Sequence, residues 1–474
     1  MKKNIILIDL NMTLLESIYE SKKVNIEFLI IDADDSKLAE IKELYDIENI
    51  ITRVELTRYV EQRSSNIDYE IIEKFKASQL NSERFDARFS SDANLIQYNY
   101  FNALSFWVDT FIKKNISTVL LVGKTHGSNF DGLILDVAKF SGASAYILDS
   151  NMRGYADSVS VNSYSVLNYN SNSFVPLVHN DLNLTPVDIN NYLFYPDKIN
   201  AIPRRKKIKS FLGLVNSFLP SWVYATLIAF QHMVYKSPYS HGLYYKPTNI
   251  LKNILYIRRL KGFYNSISVK LNVSKKYIFY ALHFDPEANT MSRTRLNNQL
   301  TIIRQLSQSI PKGWVLYIKE HPDQFKMSNT GAWYYLISIH KYRTKTFYRE
   351  ILKFDNVKFL KLDTKSQDVI KTAEGVSTIV GSVTPEALSL NKPLILFGHQ
   401  ATPFGLCKDV LKVTSSEQCR ESMKKIESGL VPSYLDLKKI VDSYFFELKA
   451  ELPSDVSLLV EYLVCKHSSD KFDI

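Results

Sequence analysis

The stretch LYIKEHPDQF (316–325) is an apolar strand pattern that ends in charged and rigid residues. Pro322 forbids the continuation of a strand, but a strand needs no charge where it stops. Lys319 and His321 are therefore candidates for chemistry, because each can carry a positive charge and bind an anionic phosphate. Successive side chains of a strand point to opposite faces, so only one of Lys319 and Glu320 can share the face of His321.

Polar side chains also follow three other apolar runs in this half of the chain. They are His283 at the end of KYIFYALHF with Glu287 after it, Ser382, Thr384 and Glu386 after STIVG, and His399 after KPLILFG. Ser382 and Thr384 suit either a phosphate site or simple N-capping, and Glu386 suits either a first-turn charge or a ligand for ribose hydroxyls. The carboxyl ends of parallel strands share one edge, so these residues are expected to lie together. No spacing among them resembles a zinc site, and we expect no metal.

A second candidate position lies in the first half of the chain, at residues 123–132, between a predicted strand and a predicted helix. Its glycines and lysine do not follow the order of a phosphate-binding loop. His126 and Asp131 could act there as an acid–base pair on an acceptor hydroxyl. Asp131 could equally be the N-cap of the helix that follows, and both interpretations stay open.

The elements that must position these residues alternate between strand and helix. The apolar runs at 4–10 and 276–284, for example, are each followed by a helical pattern. This alternation predicts an α/β protein with parallel, doubly wound sheets. The predicted parts are an N-terminal domain at 1–200, a basic aromatic helical segment at 201–275, a C-terminal domain at 276–445 and C-terminal helices at 446–474.

The composition is that of a folded protein with 45% hydrophobic and 23% charged residues. Its 474 residues are too many for one ordinary core and suit two domains. Three cysteines without metal-like spacing fit a reducing compartment. Asp9 interrupts the apolar run near the start, so we expect a first strand there rather than a signal peptide.

The positive charge of the chain is concentrated in one segment. The net charge is +10, yet residues 203–276 alone contain 14 Lys and Arg and no acidic residue. Such regional basicity favours an anionic partner. Within it, residues 211–230 are uncharged, and they could span a membrane, pack on the protein or lie on a membrane surface. Apolar residues dominate this stretch, which argues against a nucleic-acid partner.

Three stretches resemble one protein family. LHFDPEANT (282–290), GWVLYIKEHP (313–322) and GSVTPEALSLNKPLILFG (381–398) are similar to the C-terminal half of bacterial glycosyltransferases that build capsules and surface polysaccharides. That family includes transferases for 3-deoxy-manno-octulosonic acid (Kdo) and related ulosonic acids. The stretch at 125–148 is similar to the family more loosely, and the segment 203–275 resembles no family.

The resemblance implies a GT-B glycosyltransferase, in which two Rossmann-like domains face each other across a cleft. It implies a nucleotide-sugar donor on the second domain, without a metal or other cofactor. His321 with Pro322, and Ser382 with Thr384, match the family positions that hold the phosphate of a CMP-activated ulosonic or sialic acid. In that setting His283, Glu287, Lys319 and Glu386 would also contact the donor.

Asp131 would then serve as the base of an inverting reaction or the nucleophile of a retaining one. The match is partial, because the segment 130–132 shares only its last two positions with an acidic-Asp-Gly motif of sialic-acid transferases. Asp285 also stands where the family often has a Gln before Pro-Glu. The expected acceptor is a glycolipid or growing glycan at the inner face of the cytoplasmic membrane, where the basic segment would contact anionic lipid.

Other functions remain open at this point. The donor could be a UDP- or GDP-sugar, since Glu386 could hold ribose in either case. Some sugar-nucleotide epimerases share the GT-B fold, although the basic segment counts against one. A noncatalytic protein of polysaccharide assembly is a further alternative.

Overall fold

The computed structural model describes two compact units of the chain. The described residues are 2–10, 12–31, 35–64, 67–87, 92–123, 128–129, 131–156, 159–176, 185–187, 247–285, 294, 296–321, 324–325, 340–447, 459 and 462–466. One unit comprises Met1–Tyr192 with Val441–Ile474, and the other comprises Leu193–Ile440. The uncharged stretch at 211–230 lies outside the described residues. Within the described residues, no helix has the length and apolar character needed to cross a membrane.

The first unit contains a nine-stranded sheet in its described part. Its strands are β1 (Lys3–Ile8), β2 (Val24–Ile31), β3 (Ile50–Thr52), β4 (Ile116–Val122), β5 (Ser144–Ala156), β6 (Val159–Asn168), β7 (Ser173–Val175), β8 (Thr185–Pro186) and β16 (Phe446–Glu447). They pair in the order β3-β2-β1-β4-β5-β6-β16-β8, with β7 beside β6. The strands from β3 to β5 in this order are parallel, which is the Rossmann arrangement. From β5 onward the pairing is antiparallel.

Helices connect the parallel strands of this unit. They are α1 (Met12–Ser21), α2 (Asp35–Leu44), α3 (Arg53–Glu61), α4 (Tyr69–Lys74), α5 (Lys76–Asp86), α6 (Ala93–Lys114) and α7 (Gly132–Phe140). The long helix α6 begins where the Asp92 carboxylate accepts the Leu95 N–H at 3.1 Å. It ends at Asn115, whose φ of 48° is left-handed and suits a C-terminal cap.

The second unit contains a seven-stranded sheet in which every pair is parallel. Its strands are β9 (Ser268–Val269), β10 (Tyr277–Ala281), β11 (Val315–Lys319), β12 (Val357–Leu360), β13 (Gly375–Thr378), β14 (Leu394–Leu396) and β15 (Leu411–Lys412). Their order is β15-β14-β13-β10-β11-β12-β9. The strands from β10 to β15 thus follow the Rossmann order, with β9 added at one edge. Strand β11 is buried along its whole length, as its uninterrupted apolar pattern requires.

Helices pack on both faces of this sheet. They are α8 (Pro247–Ile267), α9 (Gln299–Ser309), α10 (Lys345–Ile351), α11 (Ser366–Thr372), α12 (Val383–Ser389), α13 (Ser416–Glu427) and α14 (Tyr434–Tyr444). One core cluster joins Ile318 and Phe359 of the sheet to Leu260 of α8, Ile302 of α9 and Tyr348 of α10.

The predicted α/β class is confirmed in both units, since each has a parallel sheet with connecting helices. The antiparallel pair β5–β6 was not predicted, and it extends the first sheet well beyond its parallel part. The stretch after residue 445, predicted as helical, begins with the strand β16 and includes a π-helical turn at Tyr462–Lys466. Because β16 pairs with β6 and β8, the end of the chain completes the first sheet.

Candidate functional site

The direction in which the strand order of the second unit grows reverses at β10. The chain passes from β10 to β11 and β12 on one side, and from β12 it crosses to β13 on the other side of β10, so the topological switch point of this doubly wound sheet lies between β10 and β13. Ligands of such sheets bind outside the carboxyl ends of the strands at this point. His283 follows β10, and the loop 379–382 follows β13. The predicted residues of both segments therefore meet at one edge.

His283 binds the loop that follows β13. Its Nε2 accepts the Val380 N–H at 3.2 Å and lies 3.1 Å from Thr378 Oγ1. Gly381 has a φ of +117°, and a Cβ at this position would lie 3.2 Å from the His283 ring. The imidazole is buried beneath the loop. His283 thus shapes the loop that carries Ser382, and a direct contact with the donor remains a prediction.

His321 lies half-buried beyond the end of β11. Its ring meets Phe284 edge to face, with centroids 5.9 Å apart, and Phe284 directly follows His283. The His321 N–H donates to Glu320 Oε1 at 2.9 Å, and its carbonyl accepts the Gln324 N–H at 3.0 Å. The two histidines therefore belong to neighbouring loops of the same edge. Pro322 and Glu287, the other residues predicted here, lie outside the described residues.

Lys319, buried at the end of β11, and Glu386, half-buried on helix α12, interact electrostatically. Lys319 Nζ donates to Ser366 Oγ at 3.3 Å. Burial lowers the pKa of the Lys319 ammonium, while Glu386 and Asp363 act in the opposite direction. Burial raises the pKa of Glu386 to about 7, against the effects of Lys319 and a hydrogen bond from Ser382. An ammonium whose neighbouring carboxyl has a raised pKa is less completely neutralised by it, and is therefore suited to accept a phosphate as a counterion.

The predicted hydroxyl pair lies at the start of α12. Ser382 occupies the N-cap position and is exposed, but its hydroxyl does not cap the helix backbone. Thr384 is buried, and its Oγ1 has no hydrogen-bond partner among the residues that the structure describes. Side-chain capping, the alternative left open by the sequence, is therefore not the role of Ser382.

The Glu320 side chain lies in the protein interior, away from the edge where Lys319 and His321 lie. Its carboxylate is fully buried and accepts bonds from Arg343 Nε at 3.0 Å and from the Tyr348 hydroxyl at 2.6 Å. Burial acts to lower the pKa of Arg343, but Glu320 and Asp285 outweigh it and raise that pKa. Arg343 was not predicted. One signal could have indicated it: Glu320 and Asp285 follow buried strands, and two largely buried carboxylates need a cation as their partner.

In the first unit, Asp131 caps α7. Its carboxylate is buried and accepts the N–H and the hydroxyl of Ser128, both at 3.0 Å, and also the Gly132 N–H. This is the N-cap arrangement that the sequence allowed, and the catalytic role of Asp131 stays a prediction. His126, its proposed partner, lies outside the described residues. In the described part of the chain, no group of three His, Cys, Asp or Glu residues could hold a metal ion.

At the level of sequence the chain matches no family profile and no curated protein. Among solved structures it is similar to "Thermosulfurimonas dismutans KpsC, beta Kdo 2,7 transferase", at 12% identity and a TM-score of 0.34, covering 92% of this chain and 100% of that one. It is also similar to a UDP-GlcNAc 2-epimerase from Methanocaldococcus jannaschii, at 13% identity and a TM-score of 0.26, covering 98% and 100%.

A third similar structure is S. aureus MnaA with UDP, at 11% identity and a TM-score of 0.26, covering 98% of this chain and 96% of that one. All three TM-scores are low, so these likenesses carry no argument about the activity of this chain. What can be argued about function comes from the residues at the edge of the second sheet.

Proposed function

We propose that the chain is a metal-independent GT-B glycosyltransferase that uses a nucleotide-sugar donor. The donor nucleotide binds at the carboxyl edge of the second sheet, and the first unit binds the acceptor. The preferred donor is a CMP-activated ulosonic acid, of the Kdo or sialic-acid kind. The acceptor is a lipid-linked or growing surface glycan.

One observation carries this proposal. Lys319, His321, Ser382 and Glu386 come from two sequence stretches far apart in the chain, and both stretches lie at the carboxyl edge beside the switch point. These are the stretches that resemble the ulosonic-acid transferases. An anionic ligand at this edge would meet the Lys319 ammonium, whose partner Glu386 has a pKa of about 7.

The proposed chemistry follows from the charge that develops on the departing nucleotide. In the absence of a metal, Lys319 and His321 stabilise the phosphate as the bond between sugar and phosphate breaks. A hydrogen-bond donor that is preorganised for such a charge lowers the activation free energy by ~3–4 kcal/mol. Glu386 holds the ribose hydroxyls. On the acceptor side, Asp131 with His126 activates the attacking hydroxyl or forms the covalent intermediate.

The test is a thermal-shift comparison of CMP, UDP and GDP. A nucleotide at about one hundred times its dissociation constant should stabilise the protein by ~2.7 kcal/mol. We expect stabilisation by CMP, and its loss in His321→Ala. His340→Ala is the matched control, because His340 is exposed and lies outside the site. Stabilisation by UDP or GDP alone would indicate a UDP- or GDP-sugar donor rather than a CMP-activated one. Stabilisation by none of the three nucleotides would refute the proposal.

The location that we propose is the inner face of the cytoplasmic membrane. In the described part of the basic segment, Lys252 and Arg259 are exposed two turns apart on the same side of α8, whose apolar residues Ile254 and Leu260 pack into the core. A cationic face of this kind fits anionic lipid headgroups, at ~1 kcal/mol for each basic residue near the surface.

We expect the double substitution of Lys252 and Arg259 by Gln to weaken binding to anionic vesicles by on the order of 30-fold, from ~1 kcal/mol for each removed charge. Flotation of the full chain with vesicles measures this effect. Vesicles of phosphatidylcholine alone are the control. Equal flotation with neutral and anionic vesicles would contradict a membrane contact based on charge.

A further inference from the structure

We propose that Arg343 is a positioning residue for the donor nucleotide, because its guanidinium ties together the two loops that carry His283 and His321. This inference rests on the proposed function, in which a nucleotide binds at that edge. Arg343 does not touch the ligand itself. It acts through the backbone of the two loops.

The guanidinium of Arg343 uses three different nitrogens for three partners. Nε donates to Glu320 Oε2 at 3.0 Å, NH2 donates to the His283 carbonyl at 2.8 Å, and NH1 pairs with the Asp285 carboxylate. Glu320 belongs to the end of β11, whereas His283 and Asp285 belong to the loop after β10. One planar, rigid group therefore sets the spacing of two loops, which a flexible ammonium could not do.

Glu320 transmits this constraint to His321. Its Oε2 binds Arg343 and Tyr348, while its Oε1 accepts the backbone N–H of His321 at 2.9 Å. A rotation of the Glu320 carboxylate would therefore move the backbone that carries the imidazole. The position of His321 depends on a carboxylate that Arg343 holds in place.

Two amide side chains complete the arrangement on the other loop. Gln299 Oε1 accepts the His283 N–H at 2.8 Å, and Gln324 Oε1 accepts the Asp285 N–H at 3.0 Å. Gln324 also lies on the loop of His321, whose carbonyl accepts its N–H. The two loops are thus cross-linked by hydrogen bonds as well as by the guanidinium.

Stability alone does not account for such a network. A buried ion pair is often no more stabilising than apolar residues of the same volume, because each charge loses its hydration. Arg343 is fully buried with the Glu320 carboxylate, and it contributes no charge at the surface. What the network does provide is a fixed geometry for two loops beside the switch point. That geometry is what a binding site requires of its supporting residues.

The experiment compares Arg343→Lys with Arg349→Lys in the full chain. Both keep the charge, but Arg349 is exposed on α10 and contacts only the Phe263 ring in the described residues, so it serves as the matched control. We expect Arg343→Lys to bind CMP about 10- to 100-fold more weakly, as for a misplacement of ~1 Å at a site. The NMR signal of the His321 ring can be assigned by its loss in His321→Gln. Its chemical shift should change in Arg343→Lys and stay the same in Arg349→Lys.

The results of this experiment support or contradict the positioning role of Arg343 as follows. Unchanged affinity for CMP together with an unchanged His321 signal in Arg343→Lys would overturn it. If the wild-type protein binds no nucleotide, the proposed function fails separately, and the His321 signal alone then decides whether Arg343 positions that loop. If Arg343→Lys does not fold, Asp285→Asn replaces it, because this variant keeps the size of the side chain and removes its charge. A wild-type His321 signal and affinity in Asp285→Asn would overturn the inference as well.

Discussion

Replacement of Arg343 by Met is expected to destabilise the second unit by about 3–5 kcal/mol, the usual effect of removing one partner of a buried ion pair. The substitution leaves the fully buried Glu320 carboxylate and the largely buried Asp285 carboxylate without their cation. It also removes the donor to the His283 carbonyl. Urea unfolding of the full chain, followed by circular dichroism and by tryptophan fluorescence, measures the loss.

The control for this prediction is Lys353→Met. Lys353 and Glu350 form an exposed ion pair on the surface, with a distance of 2.7 Å, and its removal should cost less than about 0.5 kcal/mol. A second check is the pair Arg343→Met and Glu320→Gln. Because the two residues are in contact, the double variant should lose less than the sum of the single losses by about 1 kcal/mol or more. Wild-type stability of Arg343→Met would show that the buried network contributes little.

Lys319→Met is expected to weaken nucleotide binding by about 2–4 kcal/mol, which is on the order of 30- to 1000-fold. Lys319 is the ammonium at the end of β11 that faces Ser366, Glu386 and Asp363. Met keeps the length of the side chain and removes the charge, so packing should change little. Calorimetric titration with whichever nucleotide stabilises the wild-type protein measures the loss.

Lys312→Met is the matched control, because Lys312 is exposed shortly before β11, at the edge of the sheet opposite to the proposed site. The affinity of this variant for the nucleotide should equal that of the wild-type protein within about twofold, because a charge outside the site has only a small effect on binding. Undiminished affinity in Lys319→Met would remove Lys319 from the site and leave His321 as the proposed contact. Comparable losses in both variants would indicate a general effect of charge rather than a contact.

The parallel part of both sheets could be predicted from the sequence because its strands are buried on both faces. Such strands are continuous apolar runs, as at 277–281 and 315–319, and helical patterns separate them. The antiparallel pair β5–β6 is harder to recognise. The stretch VSVNSYSVLN (159–168) does alternate between apolar and polar residues, which is typical of a strand with one polar face, but its Ser and Asn residues resemble a loop.

The positions of the candidate site residues could be predicted in part, while their roles stay predictions. Polar residues at the strand ends could be placed at one edge because the carboxyl ends of parallel strands share an edge, which is where ligands of such sheets bind. Arg343 was missed because a long interval of sequence separates it from Glu320 and Asp285. No local pattern reports that these three charges meet inside the second unit.

The sequence by itself determined most of the parallel strands of both sheets, and that Lys319, His321 and Ser382 leave the second sheet at one edge. It determined this because strand alternation and strand direction are local properties of the chain. Only the tertiary structure decided that His283 binds the Val380 backbone, that Glu320 pairs with Arg343, and that Asp131 caps a helix. These outcomes depend on which helix covers each face of a sheet and on how deeply each charge is buried, and both are set by packing between segments distant in sequence.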